Sequence, residues 1–297
     1  MRITVAPGRR LFVDVEGCGL AVDGPRMREK PTLLLVHGGP GFDHSGFKPL
    51  FSPLADLVQI VYFDQRGHGR SDACPLAEVT LDVLADDIAR LCDALGVENP
   101  IVLGHSFGGF VVQRYLARHP GHPRAAVLSS TSHDDGLERQ LARFERLGGP
   151  EAREAAHALW TQPDPSSWER YRRSCMPLYV NPAMRDSEAA ARASFDQDIL
   201  FHWISGERRG MQLLPGLSCV RCPVMVMAGE RDPVCPMEDA REIAEAIPAP
   251  WGRHVLLSGA GHSTWRDRPA AAMAALRAFI ADVMEAADDE EGAADAG

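Results

Sequence analysis

Six consecutive residues, Gly104-His105-Ser106-Phe107-Gly108-Gly109, constrain this chain more than any other stretch. The apolar run Ile101-Val102-Leu103 precedes them, and a helical pattern from Phe110 to Arg118 follows. The segment predicts a strand, a very short turn and a helix, with G-x-S-x-G at the junction. A serine on so sharp a turn is held in strained backbone geometry, and side chains two residues to either side would collide with neighbouring backbone. Glycine at 104 and 108 removes that obstacle. The hydroxyl then stands clear at the N-terminus of a helix, whose unpaired N–H groups favour a developing anion. The same short pattern also fits a plain glycine-rich turn with an ordinary serine, so its weight depends on its surroundings.

Those surroundings alternate between strand and helix. Residues 11–16 alternate as a half-buried strand does, and 17–31, rich in Gly, Pro and charge, read as a loop. Residues 32–36 and 58–63 are continuous apolar runs, as expected of parallel strands covered on both faces. A helical stretch near 46–56 lies between them. Residues 80–95 carry apolar groups at i, i+3, i+4 and i+7, with Thr80 placed to cap the helix and Gly96 to stop it. After the strand 101–103 and the helix 107–118, another strand follows at 125–129. The rhythm then breaks between 133 and 215, where helical periodicity continues without a convincing buried strand. It resumes with a strand at 223–228, a helix near 237–246, a strand at 253–257 and a last helix from Pro269 to about Met284. The pattern predicts an α/β fold, a mostly parallel central sheet with helices on both faces. Its core would comprise 1–132 and 216–284, with a helical lid, 133–215, inserted after the sixth strand. The acidic, small-residue-rich stretch 285–297 reads as a disordered tail.

Charge narrows the partners. Seven acids from Asp282 onward, with no base among them, supply most of the net −10 and leave about −3 for the rest of the 297 residues. A nucleic-acid binder would need a basic face. No stretch of about 18 apolar residues exists to span a membrane, and the N-terminus has no signal-peptide pattern. The seven cysteines are scattered and odd in number, which argues against a disulfide framework and for a reducing cytoplasm. Two lysines against 29 arginines suggest a GC-rich bacterial genome.

A serine nucleophile needs a base, and the base needs an orienting acid. The strand 223–228 runs into Gly229-Glu230-Arg231-Asp232-Pro233-Val234, and 253–257 runs into Ser258-Gly259-Ala260-Gly261-His262-Ser263. In a parallel sheet these loops and the Ser106 turn open on one edge, where ligands of such folds bind. The order Ser, Asp, His is the one this strand–turn–helix arrangement uses. Asp134, just past the strand 125–129, is a second candidate for the acid. His37, His68 and His105 suit structural hydrogen bonds, Asp64 and Arg66 suit a loop tie, and Cys219 and Cys222 suit ordinary thiols entering a strand. No metal cluster or phosphate loop is present in the sequence, so neither metal nor cofactor is expected, only a small-molecule substrate.

The chain resembles the α/β-hydrolases over nearly its whole length. His37-Gly38-Gly39-Pro40-Gly41 followed by Asp64-Gln65-Arg66-Gly67-His68-Gly69-Arg70-Ser71 resembles the proline iminopeptidase branch. That resemblance implies a serine hydrolase of small esters or amides with Ser106 as nucleophile, His262 as general base and Asp232 as orienting acid. It implies an oxyanion hole from the backbone N–H groups of Phe107 and Gly39. The elbow Gly-His-Ser-Phe-Gly-Gly departs from the Gly-Gly-Ser-Trp-Gly-like form usual in that branch. Pro233 stands where some members place a glutamate that binds the substrate's amino terminus. An amine would then need another carboxylate, and Glu169, Glu188, Asp196 and Asp198 are available. Gly38, Glu169 and Trp265 are the candidate substrate contacts. The same residues could serve a lactonase, an esterase, a C–C bond hydrolase or a non-catalytic ligand receptor. Epoxide hydrolases and dehalogenases of the fold carry aspartate at the elbow, which Ser106 argues against.

Overall fold

The structure, a computed structural model, describes residues 1–295, and side chains through residue 287. Its strands are β1 (Arg2–Ala6), β2 (Arg9–Glu16), β3 (Leu20–Asp23), β4 (Arg26–Glu29), β5 (Thr32–Val36), β6 (Gln59–Phe63), β7 (Ile101–His105), β8 (Ala125–Ser129), β9 (Val224–Gly229) and β10 (Gly252–Leu257). Eight form one sheet in the order β1-β2-β6-β5-β7-β8-β9-β10. In this sheet β2 pairs antiparallel with both β1 and β6, and all other pairings are parallel.

Side-chain alternation divides the core. Leu34, Val36, Val102, Leu128, Val224 and Val226 face one way, toward α1 (Leu81–Leu95), α2 (Phe107–Arg118) and, farther along, α8 (Met237–Ala246). Leu33, Leu35, Leu103, Val127, Met225 and Met227 face the other, toward Phe51, Trp265, Leu276 and Phe279. Each such Leu or Val contributes roughly 1.5–3 kcal/mol by leaving water, and burial on both faces explains why these strands read as unbroken apolar runs.

Between β8 and β9 lie α3 (Leu137–Thr161), α4 (Pro165–Ser174), α5 (Ser187–Arg192), α6 (Gln197–Ser205) and α7 (Leu214–Leu217). Helix α3 breaks direction at Gly149-Pro150. A single bridge pairs Asp134 with Gln212. The remaining helices are α9 (Thr264–Asp267) and α10 (Pro269–Asp295).

Several expectations are corrected. The stretch 17–31 contains the β3–β4 hairpin, which is exposed almost throughout and so shows no burial pattern to read. The helix expected near 46–56 is two short 3-10 turns, His44–Phe47 and Ser52–Asp56, because Pro49 and Pro53 interrupt an α-helical run. Residues 285–295, expected as a disordered tail, have helical backbone that continues α10 through Asp295. Residues 296 and 297 of that expectation lie outside the described residues. Thr80 does cap α1, its hydroxyl accepting from the Val83 N–H, and Gly96 ends it.

The elbow is among the places where backbones approach too closely for a side chain. A Cβ on Gly108 would lie 2.1 Å from the Val36 carbonyl oxygen, and one on Gly104 would lie 2.4 Å from that of Gly108. Gly121, by contrast, has no atom within 4 Å of such a position. Gly108→Ala should therefore lose about 1–3 kcal/mol of unfolding free energy in urea titration, while Gly121→Ala stays within about 0.5 kcal/mol of wild type.

Candidate active site

Three loops at the C-terminal ends of β7, β9 and β10 meet at one rim. Ser106 joins β7 to α2 with φ 54° and ψ −119°, a backbone conformation that L-residues seldom adopt. His262 follows β10, and its Nε2 lies 2.9 Å from Ser106 Oγ. Its Nδ1 lies 2.8 Å from Asp232 Oδ2 in the loop after β9. The other oxygen of Asp232 accepts the Val234 and Cys235 N–H groups at 2.8 and 2.9 Å. A carboxylate only accepts, so Nδ1 carries the imidazole proton and Nε2 offers its lone pair to the serine hydroxyl. Asp232 and His262 are both buried. The arrangement can draw a proton from Ser106 while holding one imidazole tautomer.

The loop after β5 lies against the serine. A Cβ on Gly38 would come within 3.1 Å of Ser106 Cβ, so this residue must stay small. Gly39 has φ 131°, a region open to glycine. His37 anchors the loop from below, its Nε2 accepting the Gln65 N–H at 3.0 Å while the Gln65 amide donates to the His37 carbonyl at 2.9 Å. Phe107 opens α2, and its ring is buried edge-on against Trp203 at 5.0 Å.

The other singled-out residues fall into place around this rim. Asp64 accepts from the His44 N–H and the Arg70 N–H at 2.9 and 2.7 Å, and Arg66 grips Asp87 with two bonds of 2.7 Å, so both tie loops. Burial pushes the His68 imidazole down to about 3 and lowers His37. Burial, with His262 close by, also holds His105 well below the ordinary imidazole range. All three are uncharged spacers. Asp134 pairs with Arg139, while Asp232 holds the imidazole.

Two candidate substrate contacts are corrected. Trp265 does not line a pocket: α9 turns its indole inward, where it is buried between Phe47, Phe51 and His105 at centroid distances of 5.6, 5.1 and 4.4 Å. Glu169 lies on a solvated face of α4, bound to Arg172 through contacts of 2.9 and 3.0 Å and close to Arg173. Glu188 is likewise exposed beside Arg192, and Asp196 caps α6, accepting the Asp198 N–H at 2.9 Å. Residues missed in the sequence are aromatic. Phe42, next to the loop after β5, packs tilted against Phe195 at 4.6 Å, Phe195 stacks on Trp168 at 4.7 Å, and Tyr179 stands edge-on to His262 at 5.0 Å. They come from segments far apart in the chain, and no spacing links them.

Among the described residues, the grouping suited by type to a metal is Asp232, Cys235 and His262. It does not fit one. Asp232 and His262 are already bonded to each other, and burial raises the Cys235 thiol far above its ordinary range, which keeps it protonated. Cys219 is exposed and Cys222 buried, and all seven cysteines are free thiols. No described helix is long and apolar enough to cross a membrane.

Comparison with known proteins agrees with this fold. A family model described as the alpha/beta hydrolase fold matches residues 31–269. A proline iminopeptidase of Pestalotiopsis fici is 26% identical over 253 residues, covering 80% of this chain and 87% of its own. A bifunctional esterase/perhydrolase of Acinetobacter calcoaceticus is 28% identical over 238 residues, covering 75% and 82%. The crystal structure of a proline iminopeptidase-related protein from Thermus thermophilus superposes with a TM-score of 0.75 at 26% identity, covering 95% of this chain and 97% of that one. Matched in sheet and sequence from before β5 to the start of α10, the chain belongs to the α/β-hydrolase fold family.

Proposed function

We propose that this protein is a serine hydrolase that cleaves a small, uncharged carboxylic ester or amide through an acyl-enzyme. The observation that carries the proposal is the unbroken line Asp232–His262–Ser106, at 2.8 and 2.9 Å, ending on a strained serine at the head of α2. His262 Nε2 takes the Ser106 proton as Oγ bonds to the substrate carbonyl carbon. The resulting oxyanion is met by the backbone N–H groups of Phe107 and Gly39, each such donor contributing about 3–4 kcal/mol to the transition state. The imidazolium then protonates the departing alkoxide or amine, and Asp232 steadies its charge. Water, deprotonated by the same imidazole, attacks the acyl carbon and frees both acid and Ser106.

We assign residues 133–215 to a helical cap over a core of 1–132 and 216–284. Contacts that tie this cap to the rim include the Asp196 N–H to the Gly41 carbonyl at 2.9 Å, the Ser194 hydroxyl to Asp43 at 2.8 Å, the His262 N–H to the Tyr179 carbonyl at 2.7 Å, and the Asn181 N–H to Asp267 at 2.8 Å. The aromatic chain Phe42, Phe195 and Trp168 supports an apolar acyl or alcohol group. Pro233 and the engagement of Glu169, Glu188 and Asp196 elsewhere argue against a free-amine substrate, since an unpaired ammonium in a dry site is costly. The rival reading, N-terminal peptide cleavage, draws on the similarity to proline iminopeptidases. The seven free cysteines support residence in a reducing compartment such as the cytoplasm.

Wild-type protein should react with a fluorophosphonate probe at Ser106, and Ser106→Ala should neither label nor turn over substrate while melting within a few degrees of wild type. Intact-mass spectrometry and thermal melts check both. In paired assays, kcat/KM on a p-nitrophenyl ester should exceed that on proline p-nitroanilide by at least about 100-fold. The reverse ratio would select the peptidase reading.

A further inference from the structure

Asp267 ends the short helix α9, five residues beyond His262, and has no part in the line of groups that reaches Ser106. It is nevertheless buried, and its two oxygens take different partners. Oδ2 accepts the Gly261 N–H at 2.6 Å, from the residue just before His262. Oδ1 accepts the Asn181 N–H at 2.8 Å, from the segment between α4 and α5. No Lys, Arg or His nitrogen lies within 4 Å of it among the described residues, so two amides are the partners that offset its burial.

The same short segment touches His262 directly. The Tyr179 carbonyl accepts the His262 N–H at 2.7 Å, and the Tyr179 ring stands edge-on to the imidazole at 5.0 Å. Its hydroxyl lies 2.5 Å from that of the buried Tyr171 on α4, which fixes the ring from behind. The fit allows no slack on the histidine loop: a Cβ on Gly261 would lie 2.3 Å from the Tyr179 carbonyl oxygen and 3.1 Å from Asp267 Oδ2. On the other side, Glu230 accepts the Gly259 N–H at 2.8 Å. The loop bearing the imidazole is thus gripped between 179–181 and Asp267.

We propose that Asp267 is a positioning residue for the His262 imidazole, and that with the segment 179–181 it forms a clamp without which the hydrogen bond from His262 to Ser106 is not held. The proposal rests on the roles assigned above to Ser106 and His262. A displacement of about 1 Å at a reacting group can cost on the order of 100-fold in rate, and substrate contacts made elsewhere are untouched. The effect therefore falls on kcat and not on KM.

Asp267→Asn keeps the shape but leaves one acceptor where two N–H groups point. Asn181→Pro deletes the other donor at a residue with φ −51° and ψ 130°, angles that proline accepts before Pro182. Each variant of the full-length protein is assayed at a temperature where circular dichroism shows it folded, for fluorophosphonate labelling rate and for kcat and KM on a p-nitrophenyl ester. Both variants should label and turn over about 10- to 100-fold more slowly, with KM within about twofold of wild type. Glu169→Ala, in the same region but on a solvated ion pair, should match wild type. If wild type labels and both variants label within about twofold of it, the clamp is overturned while the assignment of Ser106 stands. If wild type fails to label, that assignment falls and the clamp with it. Should Asp267→Asn not fold, Asn181→Pro decides alone, and a raised KM with kcat unchanged overturns the proposal in either variant.

Discussion

The site depends on how closely helix α2 can approach strand β5. At Gly108 the helix backbone meets the Val36 carbonyl with no room for a methyl group. That contact sets the elbow against the loop after β5, and with it the distance between Ser106 and the backbone of Gly38. The strained conformation of Ser106 costs on the order of 1–3 kcal/mol, and it persists because β7 is paired on both edges and α2 is packed along its length. The hydroxyl is presented by a rigid layer, not by a mobile loop.

The proposed base is supported differently. His262 belongs to a loop beyond β10, the outermost strand, which has a neighbour on one edge only. The sheet therefore cannot fix the imidazole as it fixes the hydroxyl. Asp232 holds one ring nitrogen, and hydrogen bonds from several separate elements hold the backbone. The neutral histidines at 37, 68 and 105 fill space near this assembly without adding charge that would compete for the proton.

The central strands were legible in the sequence because burial on both faces leaves an apolar run that a loop could not tolerate. The elbow and the order of its partners were legible because each candidate followed its own strand. What stayed hidden had no local signature. Exposed strands such as β3 and β4 carry no alternation to detect, and β1 pairs only at the sheet's edge. The inward turn of Trp265 depends on Phe47 and Phe51, more than 200 residues earlier in the chain. Asp267 carries no local signal, since its partner Asn181 is 86 residues away. Glu169 is the exception: arginines three and four residues on already offered it partners on its own helix.

Glu207, which lies between α6 and α7, accepts the Leu81 N–H at 2.9 Å and so satisfies an amide in the first turn of α1. Helix α1 packs on α2 and on the sheet, far in sequence from the stretch that caps it. Replacing the stretch that carries Glu207 would thus leave the Leu81 amide without this partner, while Thr80 would still cap the same turn through Val83. The helical stretch between β8 and β9 is a structural component of the layer beneath it, and evolution could exchange it only by finding that core amide another acceptor.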